Sequence, residues 1–291
     1  MKLFKKLKLF FFDERNAQTI ALYRIILFAF AIFFLLNDYK VNADFSCSQW
    51  RPYGVFTLLG DYCSQWIYKV SFFVGLVASL FAILGILYRP SAMIAATAVA
   101  LFLGYKYNFV RMYHSYHMFV MVLIIISLGH AADVYSLKRL KNNIKHWQYH
   151  WPVQLSKLYV VYVYFICGVE KLYFRGVDWA FSDNLYLIIF GTPQEAFLKD
   201  WILDQPLWVA QALAFWSLFV CELFAPLSLI NRYWGYCYWL IWLSFHLGVT
   251  FTLGGHSRFF SQLVAASVFL LPLLESLIKY VSLRMVRDPK I

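Results

Sequence analysis

The sequence predicts an all-α polytopic membrane protein, a bundle of about eight transmembrane helices with one short re-entrant or interfacial helix. Three observations lead there. Hydrophobic residues make up 62% and charged residues 14% of the 291 positions, against about 45–50% and 25% in an ordinary soluble domain. The apolar excess falls into runs of about 20 residues, the length that crosses a bilayer. Aromatic side chains reach 21%, with 21 Tyr and 11 Trp, which suits a chain that passes repeatedly through membrane interfaces. Soluble enzyme, disordered tail and coiled coil are excluded. The formal charge of +11 carries no base-reading motif. Short basic loops that set topology and meet anionic headgroups account for it, so nucleic acid is not an expected partner.

Residues 1–16 form a basic lead-in with no small-residue cleavage site after it, expected on the cytoplasmic face rather than as a signal peptide. The predicted spans are 17–36, 68–88, 91–108, 115–132, 154–172, 207–230, 234–253 and 260–280. Tyr88, Arg89 and Pro90 make a tight turn between the second and third spans, with a proline suited to starting a helix. Asn231, Arg232 and Tyr233 separate the sixth and seventh. Segment 184–192 is apolar but too short to span, and supplies the re-entrant or interfacial helix. A basic tail, 281–291, ends the chain. No internal repeat or flexible linker divides it, so 1–291 reads as a single transmembrane domain.

Orientation follows from lysine and arginine. Lys2, Lys5, Lys6 and Lys8, then Arg89, then Lys138, Arg139, Lys141 and Lys145, then Arg232, then Lys279, Arg284, Arg287 and Lys290 fall on alternate loops. That side is cytoplasmic. Both termini are then inside, the protein sits in the inner membrane, and loops 37–67, 109–114, 173–206 and 254–259 face outward. Cys47 and Cys63 share the first outer loop, where an oxidising compartment permits a structural disulfide. Cys167, Cys221 and Cys237 lie in spans and read as packing residues.

Ionisable residues inside spans carry the functional information, because they are costly in lipid and face a bundle interior or a wet cavity. They are Arg24 in the first span, His114 and His117 opening the fourth, Glu170 and Lys171 closing the fifth, Glu222 in the sixth and His246 in the seventh. Lys171 either snorkels to the outer interface or turns inward. Gly168 three residues before it admits a close neighbour, and Tyr164 lies two turns below. Turned inward, desolvation favours the neutral amine, a base. Glu170, adjacent in sequence, points elsewhere. His114 and His117 sit three apart around Tyr116, yet no third ligand accompanies them, so no metal is expected. Pro226 is expected to kink the helix near Glu222, whose carbonyl it frees. An outward-opening pocket lined by Lys171, His114 and His246, with aromatics around them, suits an aromatic ligand such as a quinone. It suits general-base work in a dry site equally.

These residues also resemble a known family. YFICGVEKLYFRGVDW is similar to the Tyr-Phe-x-x-Gly-x-x-Lys-Leu…Trp signature of the vitamin K-dependent γ-glutamyl carboxylase, whose bacterial relatives share the horizontally transferred transmembrane (HTTM) domain. RNAQTIALYRIILFAF, HSYHMFVMVLIIISLGHAADVYSL and CELFAPLSL…FHLGVTFTLG resemble further stretches of that domain in the same order. The resemblance implies that Lys171 is the base toward a quinol such as reduced vitamin K (menaquinol), with His114 and His246 beside it. It also implies that Tyr116, His117, Tyr164, Trp179, Glu222 and Arg24 line the pocket. The chain carries Glu170 where the carboxylase has a second lysine, and extra residues between Lys171 and Trp179. The 291 residues resemble the membrane domain alone, so the resemblance points to quinol oxidation and epoxidation, with modification of an exported peptide as an accompanying step. Small HTTM proteins also resemble factors that mature secreted toxin peptides, which gives a second expectation: a non-catalytic membrane factor with an exported peptide as partner. A transporter would need matching broken spans in two halves, and none are evident.

Overall fold

The computed structural model describes residues 8–41, 49–109, 116–137, 145–254, 260–277 and 280. It is helical almost throughout. Its one sheet among the described residues is a two-residue antiparallel pair, Arg15–Asn16 with Lys145–His146. Among the described residues, four helices are long and apolar enough to cross a membrane, or five if a helix pair interrupted at Leu270 is one span. The chain divides into two compact units, Met1–Ser156 with Leu273–Ile291, and Lys157–Pro272.

In the first unit, α1 (Ala17–Val41) opens the bundle, followed by α2 (Gln65–Leu84), α3 (Tyr88–Tyr105) and α4 (His117–Ser127). α2 and α3 form a hairpin joined through small residues. Gly75, Ala78, Ser79 and Ala82 of α2 are buried, as are Ala92, Ala95 and Ala96 of α3, which lets the backbones approach as membrane helices do. The turn between them needs glycine at Gly85: φ is +71°, and an added Cβ would lie 2.4 Å from that of Ser136. Leu87 is also left-handed, at φ +44°, and Pro90 sits in the first turn of α3, where a missing N–H costs nothing.

Three buried charged residues, Arg24, Asp38 and Lys106, organise this unit. Arg24 is wholly buried and donates to the carbonyls of Ala131 (2.8 Å), Ile83 (3.2 Å) and Tyr135. Ile83 lies in the last turn of α2, whose carbonyls lack helical partners and present negative potential, so the guanidinium caps that helix while holding the 131–135 segment. Lys106, just past α3, pairs with Asp38 of α1. The Lys106 ammonium lies 4.3 Å from the centre of the Tyr116 ring, whose hydroxyl donates to Asp38 Oδ1 (3.2 Å).

In the second unit, α5 (Trp151–Arg175, of which 157–175 belong here) is followed by three short helices, α6 (Asp178–Phe181), α7 (Asn184–Phe190) and α8 (Lys199–Leu203). α7 occupies the apolar segment 184–192 and leaves Leu187, Ile188 and Phe190 exposed. α9 (Leu207–Phe215) passes into a π-helical stretch, Trp216–Leu223, and a 3-10 turn, Ala225–Leu229, that begins beside Pro226. The expected disturbance at Pro226 is thus a change of helix type spread over the preceding eight residues. α10 (Arg232–Leu253) is capped by the Asn231 carboxamide, which accepts from the N–H groups of Tyr233 (2.9 Å) and Trp234 (3.1 Å). α11 (Phe260–Ala266) closes the unit.

Candidate functional site

Lys171 turns inward. It leaves α5 in its last full turn and meets the π-helical stretch, where Nζ donates to Glu222 Oε1 at 2.6 Å and lies 3.4 Å from Ser217 Oγ. The same nitrogen is 4.2 Å from the centre of the Trp179 ring, on α6. The lysine side chain keeps 25% of its exposure and the glutamate only 5%. The amine therefore stands at a rim, with an opposite charge behind it and an aromatic face across it. Glu170, one residue earlier, is exposed, as a 100° step around a helix requires.

Local sequence explains the approach of the two segments. Gly168 lies one turn before Lys171, and a Cβ there would fall 3.0 Å from both Glu222 Cβ and Leu223 Cγ. A hydrogen at that position lets α5 lie close against the segment carrying Glu222, where a methyl group would force its neighbours to shift. The π-helical stretch widens the helix and is a frequent companion of functional sites. It also alters the carbonyl ladder: the Cys221 carbonyl accepts from the Trp242 indole N–H at 3.0 Å. Beneath the rim, Ala180, Ala214 and Leu218 form a small core against which Trp179, Leu172 and Leu223 pack, fixing α6 under the amine.

Deeper on the same face of α5, Tyr164 is buried. Its ring stacks on Trp242 at 4.5 Å with 5° between planes, and its hydroxyl is 2.7 Å from His246 Nε2. His246 is buried too, and its backbone carbonyl accepts from Thr250 Oγ1 at 2.8 Å. Tyr164, Lys171, Trp179, Glu222 and His246 therefore belong to one unit, and contacts join them in two groups, amine with carboxylate and phenol with imidazole.

The other sequence-predicted positions fall elsewhere. Arg24 and Tyr116 belong to the first unit, Arg24 as the carbonyl clamp and Tyr116 in the Asp38–Lys106 cluster. His117 is exposed at the start of α4. His114 lies outside the described residues, as does Cys47, and with it the expected pairing to Cys63. The Cys63 sulfur is 3.8 Å from the Tyr105 hydroxyl. Among the described residues no group of three or more His, Cys, Asp or Glu side chains is placed to hold a metal ion.

Sequence reasoning passed over Asp38, Lys106, Ser217 and Trp242. Lys106 lies inside the predicted span 91–108, so the rule that singled out Lys171 applies to it equally. Asp38 falls two residues beyond the predicted end of the first span. Nothing local marks Ser217 or Trp242, whose roles come from the π-helical turn. No protein-family model, curated protein or solved structure matches this chain.

Proposed function

We propose that this protein is an integral membrane enzyme of the vitamin K-dependent carboxylase type, an HTTM-like bundle in which Lys171 acts as the base toward a quinol. In this reading the four long apolar helices, the interrupted pair and the three remaining apolar helices (α3, α4 and α9 with its π-helical extension) make eight crossings. α7 lies at the interface, and the positive-inside pattern puts both termini in the cytoplasm and Lys171 at the outer side of an inner membrane.

One observation carries the reading: an amine three-quarters removed from solvent, 2.6 Å from a buried carboxylate and facing an indole ring. The donor set fits a phenolic ring. Trp179 offers an aromatic face, Lys171 a nitrogen that exchanges a proton, and Glu222 Oε2 is buried with no hydrogen-bond partner among the described residues. When its proton passes to Glu222, Lys171 presents a neutral amine that can take a proton from a hydroxyl brought to the rim. Ser217 and Trp179 hold the amine in place for that exchange. A bound quinol would supply the reducing equivalents: with dioxygen it gives the epoxide and one water, which balances atoms and electrons without a metal.

The test uses the full chain in lipid nanodiscs, supplied aerobically with menaquinol, with quinone and epoxide separated chromatographically. Epoxide formation is expected, and Lys171→Ala is expected to lower it by about 10²- to 10⁴-fold while helix content is retained. An unchanged rate in that variant overturns the base assignment. A second reading, a non-catalytic factor for an exported peptide, draws on Tyr173, Phe174 and Phe197, exposed at 82%, 75% and 86%. Such rings suit a peptide as well as a membrane interface. Co-purification of a small secreted peptide, equally with the native chain and with Lys171→Ala, supports that reading over the enzymatic one.

A further inference from the structure

Tyr164 and His246 do not stand alone. On α10, Trp234, Tyr238 and Trp242 recur every four residues and so share one face. Their ring centroids are 6.4 Å apart from Trp234 to Tyr238 and 5.7 Å from Tyr238 to Trp242, both pairs tilted, and the row continues at 4.5 Å to Tyr164 on α5, which stacks on Trp242. Tyr238, Trp242 and Tyr164 are buried, whereas Trp234, two residues after Arg232 in the first turn of α10, is exposed. Tryptophan and tyrosine are the two side chains most readily oxidised by one electron. Tyrosine gives up its electron easily only if its hydroxyl proton has somewhere to go, and here the imidazole of His246 lies 2.7 Å away.

We propose that Trp234, Tyr238, Trp242 and Tyr164 form a conduit for single electrons, in which His246 accepts the phenolic proton of Tyr164. The inner end lies about 10 Å along α5 from Lys171, seven residues at the helical rise. One electron leaves Tyr164 for the oxidant while its proton moves to Nε2 of His246. An electron from Trp242 and the return of that proton restore Tyr164, and an electron from Trp234 then refills Trp242 across the Tyr238 ring, which bridges the two indoles while keeping its own proton, so that the vacancy moves to the Arg232 end of α10. A soluble one-electron donor of the ascorbate or thiol class refills Trp234. With quinol and dioxygen as the native chemistry, the oxidant is an oxygen-derived radical released near Lys171, and the conduit removes it before it damages the rim. That native role rests on the proposed function; the conduit itself does not.

The two are separated by driving the ladder from outside. The full chain in nanodiscs, without quinol, is exposed to a ruthenium(III) polypyridyl oxidant generated by a light flash, and the radical product is followed by transient absorption and electron paramagnetic resonance. A neutral tyrosyl radical is expected, and protein grown on ring-deuterated tyrosine should narrow its resonance without any mutation. Tyr164→Phe is expected to lower that signal to the short-lived background of exposed tyrosines such as Tyr173, and Trp242→Phe to reduce its yield to that of Tyr164→Phe. His246→Leu is expected to prevent the long-lived neutral radical from accumulating. A resonance unaffected by tyrosine deuteration overturns the conduit, and so does a tyrosyl signal undiminished in Tyr164→Phe or in Trp242→Phe. None of these outcomes depends on whether Lys171 oxidises a quinol.

Discussion

The two units treat buried charge differently. In the first, the buried charges among the described residues are closed over. Arg24 is wholly buried and gives its two terminal nitrogens to three carbonyls, leaving only Nε without a bond, and the Asp38–Lys106 pair keeps only 8% and 10% exposure under the Tyr116 ring. In the second, Lys171 keeps 25%, its partner Glu222 has one oxygen without a hydrogen bond, and the helix beneath them is π-helical. Charge enclosed on all sides fixes a fold. Charge at a rim, open on one side, stores the capacity to exchange a proton. The contrast also separates the ionisable residues that sequence places inside spans into two classes, which burial in lipid alone does not distinguish.

The sharpest way to break the contrast is to strip one partner from each pair. Asp38→Ala removes the carboxylate paired with the buried Lys106 ammonium and is expected to cost about 3–5 kcal/mol of stability. Glu222→Gln keeps shape and an acceptor at the rim, and Lys171 can turn its ammonium to solvent, so a smaller loss is expected there. Thermal unfolding in one detergent, followed by circular dichroism, compares them. Equal losses would mean that Lys171–Glu222 is a structural pair after all.

Gly168→Ala comes next. The new methyl meets Glu222 Cβ and Leu223 Cγ at 3.0 Å, and the backbone-bound Cβ of Glu222 has little room to give. Overpacking of this kind is expected to cost about 1–3 kcal/mol. It should also push α5 away from the π-helical stretch and lengthen the Lys171–Glu222 contact. Gly248, whose Cβ would meet nothing within 4 Å, is the matched control. If Gly168→Ala and Gly248→Ala unfold at the same temperature, the close approach does not set the site.

How much of this was legible in sequence depends on whether a feature is local. Hydropathy over 17–36 and 234–253 reproduces α1 and α10 closely, because a run of apolar residues is its own signal. Span 115–132 shrinks to the eleven residues of α4, and 207–230 breaks into α, π and 3-10 pieces, since hydropathy measures composition and is blind to where the backbone ladder is interrupted. Lys171, Gly168 and Tyr164 were readable together from their spacing on one helix. The partnership of Lys171 with Glu222 was not, because 51 residues separate them and the contact depends on a turn that is wider than an α-helix. Arg24 was legible as a buried charge, but its partners are backbone carbonyls, which carry no residue-type signature.

Tyr164→Phe probes the inner end of the second unit at smaller cost. The ring still stacks on Trp242, and only the hydroxyl bonded to His246 is lost, worth about 0.5–1.5 kcal/mol. Tyr68→Phe in the first unit removes a weaker bond, 3.3 Å to the Asp38 carbonyl, and should change unfolding less. A larger loss for Tyr68→Phe would place the more tightly held polar network in the first unit and blunt the comparison.

The smallest expected effect concerns a group of the first unit that does titrate, outside the helices. His130 follows α4, and its Nε2 lies 2.6 Å from the Arg89 guanidinium. Partial burial holds its imidazole below the ordinary histidine range, with Arg89 and then His146 adding to the effect and Asp133 opposing it. The folded chain therefore prefers the neutral ring. As pH falls below about 6.5, the unfolded chain takes up a proton first, and folded stability declines until the folded imidazole protonates as well. His130→Gln should remove that component of the acid-side slope in unfolding temperature, and Arg89→Gln should shrink it by raising the imidazole back toward its ordinary value. An unchanged slope in both variants would show that His130 contributes nothing to the acid-side loss, and would leave the enclosed Asp38–Lys106 pair as the better guide to how the first unit handles charge.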